Sequence, residues 1–491
     1  MGANPNRVVD TGTISPDQTI NYTLRIWIDY DATTEEASGK TFKGKLRVEA
    51  SQSKGEKVSD VVLSNPGPNG DTYDDGTDTF ITGEDPNNYI WYSGKLWRAV
   101  SVNNDAKTTK LVTQWNISST VYNVSGNPAF EGSCMEDWLN DTSVDGFLGN
   151  LRDYENFIVT DSVWDATLDA TALGSITRPN GESVSTNAVG LLNMYEYQES
   201  FRGTTYRNGY LNNGLNWWTL TPYNTSYVRS VLSHGYVFYN DPADAYGVRP
   251  SINLKSSVRI ADGDGTIDNP YRLNGDNDTN LSGTLLSSRY SGEYIRFGND
   301  ENNLYRIVSH ENGSGTKIVS AQPLKSSGNF LSSVFDSNSS VSYSSSNTIG
   351  AFLNGEYLTN YVDTTYSDMI EDSTTWYLGT VGSGTSYKLA KYTDTNMSST
   401  TSSTIDAKVG LLRFGELMAG QFDRIENNTN YWTLTPYSAS IVRNVDSNGN
   451  ARNYYPTKAF GVWPSINLKS NVQIINGDGT LNSPFEIQLG S

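Results

Sequence analysis

The chain has 491 residues, a formal net charge of −19 and a pI near 4.5, and its length predicts more than one domain. Because only 35 residues are Lys or Arg against 54 Asp and Glu, a nucleic-acid or anionic-membrane partner is excluded. The single cysteine, Cys134, excludes an internal disulfide. The sequence contains no run of about 18 apolar residues, so insertion into a membrane is not predicted.

Residues 1–55 are predicted to form a small all-β module. Apolar and polar residues alternate at 22–31 and at 41–51, which is the pattern of half-buried strands. Fifty residues bury little apolar surface, so this module is either small or one end of a larger sandwich.

Residues 56–76 are predicted to be a linker, because Pro, Gly and Asp crowd this part of the chain. A cluster of carboxylates here is a candidate calcium site. It lacks the spacing and the downstream Glu of an EF-hand loop, so a solvated linker is the favoured interpretation. The carboxylates are Asp71, Asp74, Asp75 and Asp78.

The rest of the chain is an internal duplication. Residues 217–271 align without a gap to residues 431–485, with about 30 of 55 positions identical. The match continues more loosely towards the N-terminus, so the unit is about 200 residues long, the size of a domain. We therefore predict a first repeat at 77–275 and a second repeat at 276–491.

Within each repeat the pattern runs from strands to short helices and back to strands. The sequences SCMEDWLND and NTIGAFLNG have apolar residues at helical spacing, as do NAVGLLNMYEY and DAKVGLLRFGELM. An α+β fold is therefore expected. Each repeat ends in a GDGT sequence, for which a tight turn is favoured over a metal site.

Residues 228–241 and 442–455 repeat at every second position only. Arg229, Val231, Ser233 and Gly235 recur at the aligned positions, whereas the residues between them differ. A β-hairpin with a three-residue loop ending in Gly explains the alternation, because alternate residues of paired strands share a face. The recurring valines would face the core, and the differing residues would form a changeable surface.

The exposed face in the first repeat contains aromatic residues, which are enriched in interaction surfaces. Unconstrained drift of surface positions is the alternative explanation. The candidate ligand-binding residues are Tyr227, Ser230, Leu232, His234, Tyr236, Phe238 and Asn240 in the first repeat, and Ile441, Asn444, Asp446, Asn448, Asn450, Arg452 and Tyr454 in the second.

The sequences WWTLTPY…VRS…GVRPSINL and YWTLTPY…VRN…GVWPSINL resemble the C-terminal signature of a bacterial surface-protein family of unassigned function. That family is C-type-lectin-like and related to the formylglycine-generating-enzyme variant of the fold. The resemblance implies that the last strands carry the ligand-binding surface, as in the variable proteins of diversity-generating retroelements. The N-terminal strands resemble the end of a TasA-like β-sandwich.

Two departures separate the chain from the chemistry of these relatives. Formylglycine-generating enzymes need a cysteine pair, and this chain has one cysteine. Calcium-dependent sugar-binding lectins carry Glu-Pro-Asn or Gln-Pro-Asp, and neither is present. No cofactor and no metal are therefore expected.

Catalysis is not expected either, because His234 and His310 have no counterpart in the other repeat. Glu196 and Glu416 do recur, and a structural hydrogen-bond acceptor is the favoured role for them. The sequence predicts an extracellular recognition protein on a bacterial surface, with a protein or carbohydrate ligand. The alternative is a surface or matrix protein in which the repeats are spacers.

Overall fold

A computed structural model describes Thr33 and residues 55–490, apart from 144–145, 276–280, 312–314, 381–403, 415 and 417–428. The chain divides into two compact units, Met1–Lys54 and Gly55–Ser491. The strands predicted at 22–31 and 41–51 lie outside the described residues.

The second unit is mostly β-structure, so the predicted α+β class is wrong. Strands account for 38% and helices for 13% of the structure. No helix in the described part exceeds seven residues, whereas helices of globular proteins average about 11–12. The helices are α1 (Val58–Ser64), α2 (Cys134–Asn140), α3 (Tyr154–Phe157), α4 (Met194–Ser200), α5 (Thr348–Leu353), α6 (Glu356–Asn360) and α7 (Thr364–Ser367).

The error has a local cause in the two VGLL sequences, which are extended rather than helical. Gly190 and Gly410 lie against the indole rings of Trp164 and Trp376, where a Cβ atom would come within 2.3 and 2.6 Å of the ring. This close approach needs glycine in a strand. In the first repeat the helix begins only after Asn193, whose side chain accepts the backbone N–H of Glu196 in a capping box.

The first repeat and the residues just before it build two large sheets and one two-stranded sheet, β7-β8. The order in one is β15-β16-β3-β4-β5-β14-β9, with β2 also pairing β4 and β1 pairing β2, and in the other β12-β11-β10-β13-β6. The strands are β1 (Asn69–Asp74), β2 (Asp78–Asp85), β3 (Tyr89–Tyr92), β4 (Lys95–Asn103), β5 (Thr109–Thr113), β6 (Ser118–Val121), β7 (Ser162–Asp165), β8 (Val184–Asn187), β9 (Val189–Gly190), β10 (Trp217–Pro222), β11 (Val228–Val231), β12 (Val237–Asn240), β13 (Ala245–Val248), β14 (Ser251–Leu254), β15 (Ile260–Asp262) and β16 (Tyr271–Leu273).

The second repeat has the same strand order. Its sheets run β17-β18-β19-β30-β25 and β22-β29-β26-β27-β28, and the pairs β7-β8 and β15-β16 recur as β23-β24 and β31-β32. The strands are β17 (Tyr294–Arg296), β18 (Leu304–Glu311), β19 (Gly315–Ser320), β20 (Lys325–Ser326), β21 (Asn329–Phe330), β22 (Ser332–Val334), β23 (Thr374–Tyr377), β24 (Thr404–Ala407), β25 (Val409–Leu411), β26 (Tyr431–Ser438), β27 (Ile441–Val445), β28 (Ala451–Tyr454), β29 (Ala459–Gly461), β30 (Pro464–Leu468), β31 (Val472–Asn476) and β32 (Glu486–Leu489).

The predicted linker at 56–76 is instead part of the fold. Helix α1 buries Val58 and Val62 in the core, and β1 pairs with β2 along its length. The sequence analysis missed this short helix because the Pro, Gly and Asp residues that follow it favoured a linker over the whole of 56–76.

The aspartates that follow are held by hydrogen bonds. Asp75 accepts the N–H of Asp78, the hydroxyl of Tyr195 and the guanidinium of Arg178. Burial alone would raise the pKa of Asp75, but these bonds outweigh it and lower the pKa to about 2. Within the described residues, no three His, Cys, Asp or Glu side chains converge as metal ligands would.

The two repeats pack against each other along a surface that we call the seam. Buried residues of the second repeat, including Val445 and Trp463, belong to the same hydrophobic core as the first repeat. Polar contacts also cross the seam: Lys95 Nζ to Ser291 O (3.0 Å), Ala451 N to Ser119 Oγ (2.6 Å), Asn216 N to Asn448 O (2.9 Å), Arg272 Nη1 to Asp478 Oδ2 (3.3 Å) and Asn482 Nδ2 to Asp268 O (2.6 Å).

Within the described residues, no helix combines the length and apolar character needed to cross a bilayer.

Candidate functional site

Both predicted hairpins form, each with the predicted three-residue loop that ends in glycine. In the second, Asn444 pairs with Arg452, and the loop closes through a hydrogen bond from Asp446 N to Asn450 O. In the first, Ser230 pairs with Phe238 in the equivalent register. The loop glycine of each hairpin has a φ near +80°, which glycine adopts without strain.

The recurring valines face the core, as predicted. Val231 and Val445 are 0% and 1% exposed. Around Val231 the first repeat closes its own small core, in which Tyr197, Tyr210 and Leu211 cover the hairpin. The equivalent surface under Val445 is instead part of the core shared across the seam.

The first hairpin and the turn before it expose five aromatic residues, which we call the aromatic surface. Four of them are exposed between 37% and 47%, and the fifth is half-buried. Among the large hydrophobic side chains of the described residues, this is an unusually dense exposed group, and such patches mark interaction sites. The aromatic surface consists of Tyr223, Tyr227, Tyr236, Phe238 and Tyr239.

Three of its rings are nearly parallel. Tyr239 lies 4.2 Å from Tyr223 at 3° and 4.9 Å from Phe238 at 4°, measured between ring centroids and ring planes. Tyr227 leans on Tyr239 at 5.4 Å. Tyr236 stacks parallel to His234 at 6.2 Å. The four rings other than Tyr236 therefore restrict one another's rotation, so that little of their side-chain entropy remains to be lost on binding.

A turn of the backbone fixes the tyrosines at one end of the surface. Tyr223 N donates to Tyr227 O at 2.8 Å, and the side chain of Asn224 accepts the N–H groups of Ser226 and Tyr227. Such a turn is favoured by asparagine.

Arg229 joins the aromatic surface to a pocket. Its guanidinium lies 5.0 Å from the ring centroid of Tyr223 and donates to the carbonyl oxygens of Asp169 (2.9 Å) and Thr171 (2.6 Å). Burial lowers the pKa of Arg229. Arg229 therefore packs on an aromatic ring and bonds to carbonyl groups.

The pocket has a volume of about 290 Å³ and is lined mainly by polar residues. Its lining comprises Thr167–Thr171 and Ile176–Asn180, together with Met194, Tyr195 and Thr221. Asp169 and Thr171, whose carbonyl groups hold Arg229, belong to this lining.

The other residues predicted in the first hairpin are less exposed. Ser230 and Asn240 are buried and bond to each other, from Asn240 Nδ2 to Ser230 Oγ at 2.6 Å. Leu232 is half-buried, whereas His234 is exposed at the tip. The structure thus brings Tyr227, Tyr236 and Phe238 to the surface and leaves Ser230 and Asn240 inside.

The residues predicted in the second hairpin are not assembled into a comparable surface. Asn444 and Asn450 are 1% and 0% exposed, and Asn448 contacts the first repeat through its carbonyl group. Arg452 pairs with Asp446 at 3.1 Å. Ile441 is half-buried, and Tyr454 is exposed at 46%.

Two members of the aromatic surface, Tyr223 and Tyr239, were missing from the predicted set. Tyr223 belongs to the WTLTPY sequence, which is identical in the two repeats and so shows no alternation. Tyr239 occupies a position opposite Arg229 in the hairpin. Alternation alone did not identify them, but the local density of tyrosine was a usable signal.

The predicted structural role of Glu196 and Glu416 is confirmed. Each carboxylate accepts a hydrogen bond from a lysine ammonium, Lys110 for Glu196 and Lys317 for Glu416. Each also accepts the backbone N–H of the residue three positions earlier in the chain. Burial would raise the pKa of Glu416, but the charges of Lys317 and Arg413 outweigh it and lower the pKa. The lysines stand in the repeated sequences TKLVT and TKIVS.

Comparison with family models, curated proteins and solved structures found no match for this chain.

Proposed function

We propose that this chain is an extracellular recognition protein that binds a protein or carbohydrate ligand through the aromatic surface of its first repeat. The observation that carries the proposal is the stacking of Tyr239 on Tyr223 and on Phe238, in a group where Phe238 and Tyr239 are exposed and Tyr223 is half-buried. Exposed aromatic side chains cost solvation unless something covers them, and they dominate the energetics of interfaces.

The location outside the cell and on a bacterial surface is part of the proposal. It is supported by the Tyr-, Asn-, Ser- and Thr-rich composition with one cysteine, and by the resemblance to surface proteins. The proposed activity is binding alone. The aromatic surface consists of four tyrosines and one phenylalanine, and the proposal assigns them no catalytic step.

The test is a binding screen of the full chain on glycan and protein arrays. Tyr236→Ala combined with Phe238→Ala should weaken binding by about 2 kcal/mol or more, roughly 30-fold, because truncation of a central interface aromatic commonly has that effect. The matched control is Tyr454→Ala with Tyr455→Ala, which removes two exposed rings (46% and 61%) from the second repeat.

Equal loss in both variants would remove the first hairpin as the binding site. Absence of any ligand on both arrays would favour the spacer alternative, for which the seam provides the supporting observation, since it joins the two repeats through a shared core.

A further inference from the structure

We propose that the ligand is a neutral oligosaccharide with one sugar ring on the aromatic surface and an adjoining unit in the pocket beside it. This inference rests on the proposed function and narrows it to one ligand class. It follows from the chemistry of the two places and from the single side chain that joins them.

The aromatic surface offers flat apolar faces with polar tips. Phe238 and Tyr236 are 45% and 47% exposed, and the tyrosine hydroxyls keep a hydrogen-bonding group at the rim of each ring. A pyranose presents the complementary shape, an apolar C–H face surrounded by hydroxyl groups.

The pocket offers short hydroxyl and amide side chains. Thr171 and Thr177 carry hydroxyl groups that both donate and accept. The other polar groups of the lining also bond within the protein: the Thr167 hydroxyl donates to Asp165, the Thr221 hydroxyl accepts the N–H of Met194, and the Asn180 amide donates to Glu182. A ligand that is itself rich in hydroxyl groups satisfies such a lining. The volume, about 290 Å³, is near the lower end of the roughly 300–1,000 Å³ typical of small-molecule pockets. One small polar unit fits this space better than an aromatic drug-like group.

The two places adjoin. The guanidinium of Arg229 contacts the ring of Tyr223 on one side and the carbonyl groups of Asp169 and Thr171 on the other. Arg229 is itself buried, at 5% exposure, so it makes Tyr223 and this wall of the pocket neighbours without separating them at the surface by a charged side chain. The proposed ligand of two or more sugar units spans both places, and a monosaccharide occupies one.

Charge favours a neutral ligand over an acidic one. Arg178, the cation in the pocket lining, is paired with Asp75 (2.5 Å) and Asp78 (2.8 Å). The whole chain carries −19, and this charge repels anionic glycans at long range.

The experiment compares Ala170→Trp with Ala172→Trp in the full chain. Both alanines are exposed, but Ala170 lines the pocket and Ala172 does not. The probes are neutral mono- to hexasaccharides of the β-glucan, α-glucan, xylan, mannan, galactan and chitin series, together with sialylated glycans and a protein array. Affinities are measured by calorimetry.

For at least one neutral series, we expect affinity to rise about tenfold or more from mono- to disaccharide. Ala170→Trp should abolish that gain, and Ala172→Trp should preserve it. An affinity gain that survives Ala170→Trp would overturn the pocket assignment, and a stronger response to sialylated glycans would overturn the charge argument.

The two levels of proposal fail differently. Tyr236- and Phe238-dependent binding to a protein, with no oligosaccharide bound, would overturn the carbohydrate inference and leave the proposed function standing. No binding to any probe would overturn both.

Discussion

The two hairpins have the same register and the same framework residues, but they serve different purposes in the fold. Position 236 in the first hairpin is a tyrosine exposed at 47%, and the aligned position 450 is an asparagine exposed at 0%. The second hairpin places its tip against Asn116, Leu215 and Asn216 of the first repeat.

This difference accounts for the alternation in the sequence. The framework positions recur because both hairpins cover a core. The positions between them differ because they face solvent in the first repeat and a protein surface in the second. Small polar residues at 448 and 450 allow the close approach that the seam requires. Variation in the second hairpin is therefore set by packing at least as much as by ligand recognition.

The largest expected effect comes from separating the repeats. Residues 276–491 expressed alone should have an unfolding free energy about 5 kcal/mol or more lower than the same repeat has in the full chain. Tyr431, Val445 and Trp463 would be exposed, and each large buried side chain contributes about 1.5–3 kcal/mol. Urea unfolding followed by circular dichroism measures the loss.

The control is residues 55–275, whose hairpin core is closed by its own Tyr197, Tyr210 and Leu211. This part should retain a cooperative transition. If the second repeat alone is as stable as the first alone, the shared core across the seam contributes nothing and the comparison of the hairpins fails.

The next effect concerns a lysine buried in the seam. Lys95 donates to Ser93 O (3.2 Å) and Ser291 O (3.0 Å), and burial, reinforced by the charge of Arg306, lowers its pKa to about 7 although Glu293 opposes this. Between about pH 7 and 10 the unfolded chain binds a proton that the folded protein lacks, so stability rises with pH in this window. Below about pH 7 the whole cost of burying the charge is present.

Lys95→Met should therefore flatten the pH profile. We expect the gain in unfolding free energy between pH 7 and pH 10 to be smaller by about 3 kcal/mol than in the natural chain, at about 1.4 kcal/mol for each pKa unit. Chemical denaturation at both pH values measures it, with the exposed Lys458→Met as control. A pH dependence unchanged by Lys95→Met would show that the lysine is solvated and the seam is open.

A reciprocal exchange tests the hairpins directly. Asn450→Tyr should destabilise the chain by about 1–3 kcal/mol, because a large ring is forced into a fully buried position. Tyr236→Asn should cost well under 1 kcal/mol, since the ring it removes is nearly half exposed. Thermal unfolding of both variants decides the matter. Equal costs would mean that the two positions have equivalent surroundings.

Strand pairing within each hairpin could be predicted from the sequence, whereas the protein surface against which each hairpin packs could not. The loop glycines 235 and 449 predicted the hairpin register, because a left-handed residue at the loop end determines which residues pair. The contacts of the seam cannot be inferred from loop geometry, so Asn450 and Tyr236 were both predicted to be exposed. Contacts between residues more than 200 positions apart leave no periodic signal in one sequence.

The predicted α+β fold class was wrong because long-range packing also keeps the VGLL segments extended. Apolar spacing in VGLL matches a helix, but the indole of Trp164 lies where a Cβ of residue 190 would be, and this close packing keeps the segment extended. The helix at 194–200 was predictable from Asn193 and Glu196, whose capping box is visible in the sequence. Tertiary packing overrode propensity only where a large side chain came from elsewhere in the chain.

A small effect is expected on stability when rings of the proposed binding surface are removed. Tyr236→Ala with Phe238→Ala should change the free energy of unfolding by about 1 kcal/mol or less, since both rings are nearly half exposed. What is lost is the edge-to-face contact of Tyr236 with Tyr206 and the stacking of Phe238 on Tyr239. Val231→Ala, on the opposite face of the same hairpin, should cost more, about 1–3 kcal/mol, because it removes methyl groups from a side chain that is 0% exposed. Urea unfolding of the two variants side by side measures both. If the double variant unfolds while Val231→Ala is silent, the aromatic rings support the core and are not free for a ligand, and the loss of binding in that variant no longer locates the site.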